Sequence, residues 1–210
     1  MKKILLISLV LLVAVLASGC ASYTVKSMPS QLDESKVVKV EKEDVSITAF
    51  PILTEEDSKR YFDANLPGNN ILAIYVNILN TSPNIIEIIA SNLIVSRQPI
   101  EPLPIKKAYK AIRRGYAGKS IFWWFFGVYV GAPISALHTA SVNKDIEQDL
   151  NGKILNLANI SPKTSRYGFL WFEIPKGVMR DDKFPSSEFV ISVKKKDGKI
   201  IKYVLPIQSQ

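Results

Sequence analysis

Gly118-Lys119-Ser120 carries the ending of a phosphate-binding loop. Such a loop needs a glycine, four residues, and then Gly-Lys-Ser/Thr, so that backbone amides wrap the phosphates. Arg113 stands where that first glycine is required, and the residues before it read as helix, not strand. No nucleotide is therefore expected. Zinc needs several His or Cys ligands, and this chain has one of each, His138 and Cys20. A Ser-His-Asp triad would have to use His138, which lies inside an uncharged apolar run and reads as a packed or capping histidine. Asp145, Glu147 and Asp149 alternate like the start of a calcium loop, but Leu150 holds the sixth position, where that loop needs glycine. Val142, Ile146, Leu150 and Ile154 recur every four residues and predict one apolar helical stripe with acids beside it. No convergent acid, base and nucleophile stand out. The expectation is a protein that is not an enzyme, with no catalytic residue, metal or cofactor.

The basic segment Pro104 to Lys119 is more informative. At about 100° per residue, Lys106, Lys107, Lys110, Arg113 and Arg114 fall within an arc of roughly 120°. Ile105, Ala108, Tyr109, Ile112 and Tyr116 fall on a separate arc of about 100°. This pattern predicts an amphipathic helix that either packs on a sheet with its lysines in water or lies at a membrane interface. From Ser120 to Asn143 no charged residue occurs. Trp123, Trp124, Phe125 and Phe126 open this run as interfacial aromatics do, and Gly127 and Gly131 have the spacing of close helix contact. Pro133 interrupts the run, which predicts a hairpin bent near Gly131-Ala132-Pro133 rather than a span. That hairpin either dips into a bilayer or packs against its own domain.

Strands flank this middle region. Lys36 to Ala49 alternates around Val38, Val40, Val45 and Ile47, and predicts one or two strands broken by the charges Glu41 to Asp44. Thr54-Glu55-Glu56-Asp57 has the form of a helix start, with the helix expected to end near Leu66-Pro67-Gly68. Ile71 to Leu79 and Ile85 to Val95 are rich in β-branched residues, with turn formers Asn80 to Asn84 between them. Gly168 to Ile174 is a further strand stopped by Pro175. Phe189 to Lys195 and Lys199 to Leu205 flank the hairpin turn Asp197-Gly198. The middle, from about Pro104 to Leu157, reads as mostly helical.

The N-terminus begins with Lys2 and Lys3, continues with the apolar run Ile4 to Leu16, and passes through Ala17-Ser18-Gly19 to Cys20. The apolar run has signal-peptide length and is short for a membrane span. This resembles a bacterial lipoprotein signal peptide with its lipobox, Ala17 standing where that family prefers leucine. The resemblance implies cleavage before Cys20 and acylation of it. A lone cysteine has no internal disulfide partner and suits that role. Ala21, a non-aspartate residue, implies outer-membrane sorting if the envelope is Gram-negative. Ser22 to Gln31 is polar and reads as a tether.

The stretches YFDANLPGNNILAIYVNILNTS, NGKILNLANISP and GFLWFEIP resemble an uncharacterised family of bacterial envelope lipoproteins, and more distantly the immunoglobulin-like sandwiches of lipoproteins. The resemblance implies an α+β fold, an immunoglobulin-like antiparallel β-sandwich with a central helical and apolar insertion. The expected organisation is a signal peptide over 1–19, a lipidated cysteine and polar tether over 20–35, and a sandwich over 36–206 with its insertion at about 104–157. The formal charge of +8 drops to +6 without Lys2 and Lys3. A basic exported protein meets anionic lipid head groups or envelope proteins sooner than nucleic acid. The expected function is a lipid-anchored, non-enzymatic envelope protein whose insertion makes a second contact with membrane or partner. The alternative is a tethered soluble binding module, its insertion internal and its ligand met at sandwich loops.

Overall fold

The computed structural model describes residues 23–29, 31–110, 144–178 and 184–208. Strands β1 (Val38–Lys42), β2 (Val45–Ile52), β3 (Ile71–Asn80) and β6 (Thr164–Glu173) form one antiparallel sheet in the order β1-β2-β3-β6. Strands β4 (Glu87–Val95), β5 (Gln98–Ile100), β7 (Ser187–Lys194) and β8 (Ile200–Ile207) form a second, in the order β5-β4-β7-β8. The two sheets make a β-sandwich, and helices cover the outer face of the first sheet. The fold is α+β.

Period-two alternation builds the centre. Ile47 and Ala49 of β2, Leu72, Ile74 and Val76 of β3, and Leu170 and Phe172 of β6 point inward. They meet Leu93, Phe189, Ile191, Tyr203 and Leu205 of the second sheet. The intervening residues of the first sheet are also apolar over part of its length. Phe50, Ile52, Ile71, Ala73, Phe169 and Trp171 face outward and are buried in a second cluster. A strand buried on both faces reads as a continuous apolar run, which is why Ile71 to Ile78 and Phe169 to Phe172 show so little polar alternation. Farther along, the same outer face turns polar at Thr48 and Asn77, and Tyr167 is exposed.

Turn chemistry sets the connections. Glu43 and Asp44 both take positive φ, 46° and 65°, and so do Ser96 and Arg97, 50° and 68°. Two such residues in a row make the tight turn whose twist suits a hairpin, giving β1–β2 and β4–β5. The β3–β4 connection differs from a hairpin. Its turn formers send the chain across to the other sheet, with Asn80 Nδ2 donating to the carbonyls of Asn84, Ile160 and Ser161. One end of the sandwich is tied between sheets. Lys42 Nζ donates to the Lys202 carbonyl at 3.1 Å, and Tyr203 OH donates to the Lys42 carbonyl at 2.9 Å. Glu43 pairs with Lys195 at 3.1 Å and Lys199 at 2.6 Å.

Two sequence expectations shift. Helix α1 (Glu55–Phe62) starts as expected, Thr54 Oγ1 accepting from the Asp57 amide at 3.1 Å. It ends at Phe62 rather than near Leu66-Pro67-Gly68, because Asp63 turns left-handed at φ 52°. The Ser58 hydroxyl then stitches the following loop, donating to the Ala64 carbonyl at 2.6 Å and accepting from the Leu66 amide at 2.9 Å. The second shift concerns the segment expected as a polar tether. Its described part is docked: Tyr23 is buried, and Met28 and Leu32 pack on the outer cluster. Apolar side chains spaced widely in a polar run find a groove made by distant elements.

Candidate functional site

The helical layer on the first sheet is where the sequence placed its chemistry. Residues 105–110 and 144–153 are helical. The first group enters through Leu103, whose amide donates to the Trp171 carbonyl at 2.6 Å. The second leaves through Leu155, whose amide donates to the Phe169 carbonyl at 3.0 Å. Both bonds land on the free edge of β6, so the roots of the insertion occupy that edge. The crossing is close. A Cβ on Gly168 would lie 2.5 Å from the Leu155 amide nitrogen.

On residues 105–110 the two arcs separate as drawn on the wheel. Ala108 is fully buried and Ile105 and Tyr109 pack on the outer cluster, while Lys106, Lys107 and Lys110 are exposed. Among the described residues no acid pairs with these three lysines. Arg113, Arg114, Trp123, Trp124, Phe125, Phe126, His138, the Gly118-Lys119-Ser120 stretch and Cys20 lie outside the described residues. Among those described, no helix is long and apolar enough to cross a membrane, and no group of three His, Cys, Asp or Glu could hold a metal.

Residues 144–153 hold a site that the sequence reading missed. Ile146 and Leu150 are fully buried, but Ile154, the last of the stripe, is 38% exposed. Asp145 is half-buried, Glu147 is exposed, and Asp149 is buried. Asp149 Oδ2 accepts from Lys153 Nζ at 2.6 Å and from the Tyr23 hydroxyl. Lys153 Nζ also donates to the Tyr61 carbonyl at 2.7 Å and lies 5.5 Å from the centre of the Phe62 ring. Side-chain exposure is 3% for Lys153 and 4% for Asp149. Burial holds the Lys153 ammonium below the usual lysine range, opposed by the bond and charge of Asp149 and reinforced by Lys26. Both side chains are almost wholly enclosed and bind each other and the chain around them. The pair clamps the chain around Tyr23 onto the helical layer. An open groove of about 390 Å³ is lined by Val25, Met28, Asp145 and Gly152 and by Asp149 and Lys153 of the pair.

The described part of the segment after Tyr23 is held at several points. The Thr24 amide donates to Asp63 Oδ2 at 3.0 Å, and Lys36 Nζ pairs with Asp57 at 2.8 Å. The signal in the sequence was slight: one tyrosine in a polar run, and Asp149 and Lys153 spaced i, i+4.

No known protein family matches the chain, and no curated protein matches it. Solved structures of similar shape include a crystal structure from Listeria monocytogenes EGD-e, described as a functionally unknown protein. It shares 8% identity and a TM-score of 0.38 over 91% of this chain and 87% of that one.

Proposed function

We propose that the chain is a lipid-anchored, non-enzymatic protein of the bacterial cell envelope, held to the membrane at Cys20, whose insertion makes a second contact with anionic lipid. The observation that carries the second contact is the row Lys106, Lys107 and Lys110, exposed and unpaired among the described residues, backed by a buried face. Each lysine near an anionic surface contributes about 1 kcal/mol. Arg113 and Arg114 continue the arc in sequence, followed by Trp123, Trp124, Phe125 and Phe126. The anchor rests on Lys2-Lys3, the apolar run Ile4 to Leu16, and a single cysteine after Ala17-Ser18-Gly19.

The sandwich is read as immunoglobulin-like, and strand order supports this. Naming β2 to β8 as A, B, C, C′, E, F and G reproduces the B–E pairing in one sheet and the C–F–G pairing in the other. The edge of E, where a D strand would pair, carries the roots of the insertion instead.

Two experiments test the function. Radiolabelled palmitate should appear on the wild-type chain and not on Cys20→Ser; its absence from both removes the anchor. The Cys20→Ser chain should float with vesicles rich in phosphatidylglycerol, and the variant Lys106→Glu/Lys107→Glu/Lys110→Glu should float at least tenfold less. Unchanged flotation returns the lysines to a solvated face and favours a tethered module that meets its ligand at sandwich loops.

A further inference from the structure

We infer that residues 23–29 and 31–37 form a strap that holds the lipidated end against the helical layer, so that this layer is the membrane-facing side of the molecule. The inference rests on the reading of Cys20 as the lipid-bearing residue.

Length decides it. Were the chain free from Cys20 to the start of β1 at Val38, it could extend roughly 60 Å, and as a flexible coil it would average about 25 Å. The sandwich could then tumble, presenting any face. The docked strap removes that freedom. Tyr23 is buried against the helix of residues 144–153, and it stands three positions after Cys20, with Ala21 and Ser22 between. Three steps along the chain reach at most about 10 Å. The Tyr23 backbone is thereby held within about 10 Å of the lipid-bearing residue, close to the Debye length over which exposed lysines feel an anionic surface.

The strap does not rest on one contact. Thr24 is fixed to Asp63, Lys36 to Asp57, and Met28 and Leu32 lie against the outer cluster between them. Lys106, Lys107 and Lys110 stand on the same layer, which covers the same face of the first sheet. The exposed side of the second sheet, at Lys202 and Val204, lies beyond both sheets. Sheets pack about 10 Å apart and a helix adds about as much again, so this side is roughly 20 Å farther from the bilayer.

The full-length acylated protein tests this in vesicles of phosphatidylethanolamine and phosphatidylglycerol carrying a headgroup quencher. A fluorophore is placed at Lys107→Cys or at Lys202→Cys, both exposed positions, with acylation of Cys20 read by mass spectrometry on the same samples. The label at position 107 should be quenched at least fivefold more than that at 202. Ten Gly-Ser residues inserted between Ser22 and Tyr23 should bring the two labels close to parity. Equal quenching in the acylated native chain overturns the orientation. A difference that survives the insertion means the basic face alone orients the domain, and overturns the role of the strap. An unacylated Cys20 overturns the anchor reading and takes the inference with it.

Discussion

Asp149 and Lys153 are four residues apart on one helix, a spacing that on most surfaces is a weak, solvated pair. Here Tyr23 closes over them from 126 positions away, and burial changes the energetics. Removing one partner of a buried pair strands the other charge and costs about 3–5 kcal/mol, whereas replacing both with apolar residues can be neutral. Lys153→Met should therefore lower unfolding free energy by about 3 kcal/mol in urea titration, and Asp149→Leu/Lys153→Met should recover most of it. The sequence reading put Asp149 beside the apolar stripe because helical period alone cannot register a cover arriving from far along the chain. Tyr203 gives a second test at this scale. Burial, with the carboxylates of Glu43 and Asp44 adding to it, pushes its hydroxyl from 10.0 up to about 12. An unfolded tyrosine ionises from pH 10, while the folded one keeps its proton to about pH 12. The folded state thus binds more protons in that window, and stability falls as pH rises across it. Tyr203 should account for a loss of about 2–3 kcal/mol between pH 10 and 12. Tyr203→Phe should start about 1 kcal/mol lower at neutral pH, having lost its bond to Lys42. It should then lack that alkaline portion of the decline, measured by urea titration across a pH series.

The elements were readable where local chemistry decides them. β-Branched runs gave β3 and β4, Asp197-Gly198 gave the β7–β8 hairpin, and Thr54 with three acids gave the start of α1. Thr54→Ala should cost about 1 kcal/mol in thermal unfolding, since its hydroxyl caps the Asp57 amide. What local chemistry left open was partnership. Asn80 to Asn84 signal a turn equally well between paired strands and between sheets, and the chain takes the second course. β5 is three residues long, too short for any period to show. Lys106, Lys107 and Lys110 were placed by spacing alone, because a two-sided helix needs nothing beyond its own sequence to separate its faces. Gly168 was invisible as a constraint, since its role comes from the backbone of Ile154 and Leu155 passing over it. Gly168→Ala should cost about 1–3 kcal/mol by overpacking and should loosen the Leu155 bond to Phe169, seen as faster amide exchange at Leu155.

At the scale of the molecule, the fold is a sandwich whose first sheet is clothed in helices and whose second sheet, among the described residues, turns Lys202 and Val204 to water. β3 has hydrogen-bonded neighbours on both sides, β2 and β6, and apolar cover on both faces over much of its length. Its amides should exchange most slowly in hydrogen-exchange mass spectrometry, and those of the β5 edge fastest among the strands. Composition and alternation foretold strands on both sides of a middle whose described parts, residues 105–110 and 144–153, are helical. They did not foretell that the helical layer would clothe a single sheet and gather the chain's beginning into it, because that depends on which outward faces stay apolar after pairing. The same architecture has a consequence in time. β3 meets β6 only after roughly 80 further residues have been made, about 4–16 s at the usual pace of synthesis. Through that interval the central strand of the first sheet has one bare edge, a template for pairing with another chain. The tie between Lys42 and Tyr203 comes later still, spanning 161 positions. A growing chain cannot lock part by part; it has to be kept apart from its neighbours until its final strand is in hand.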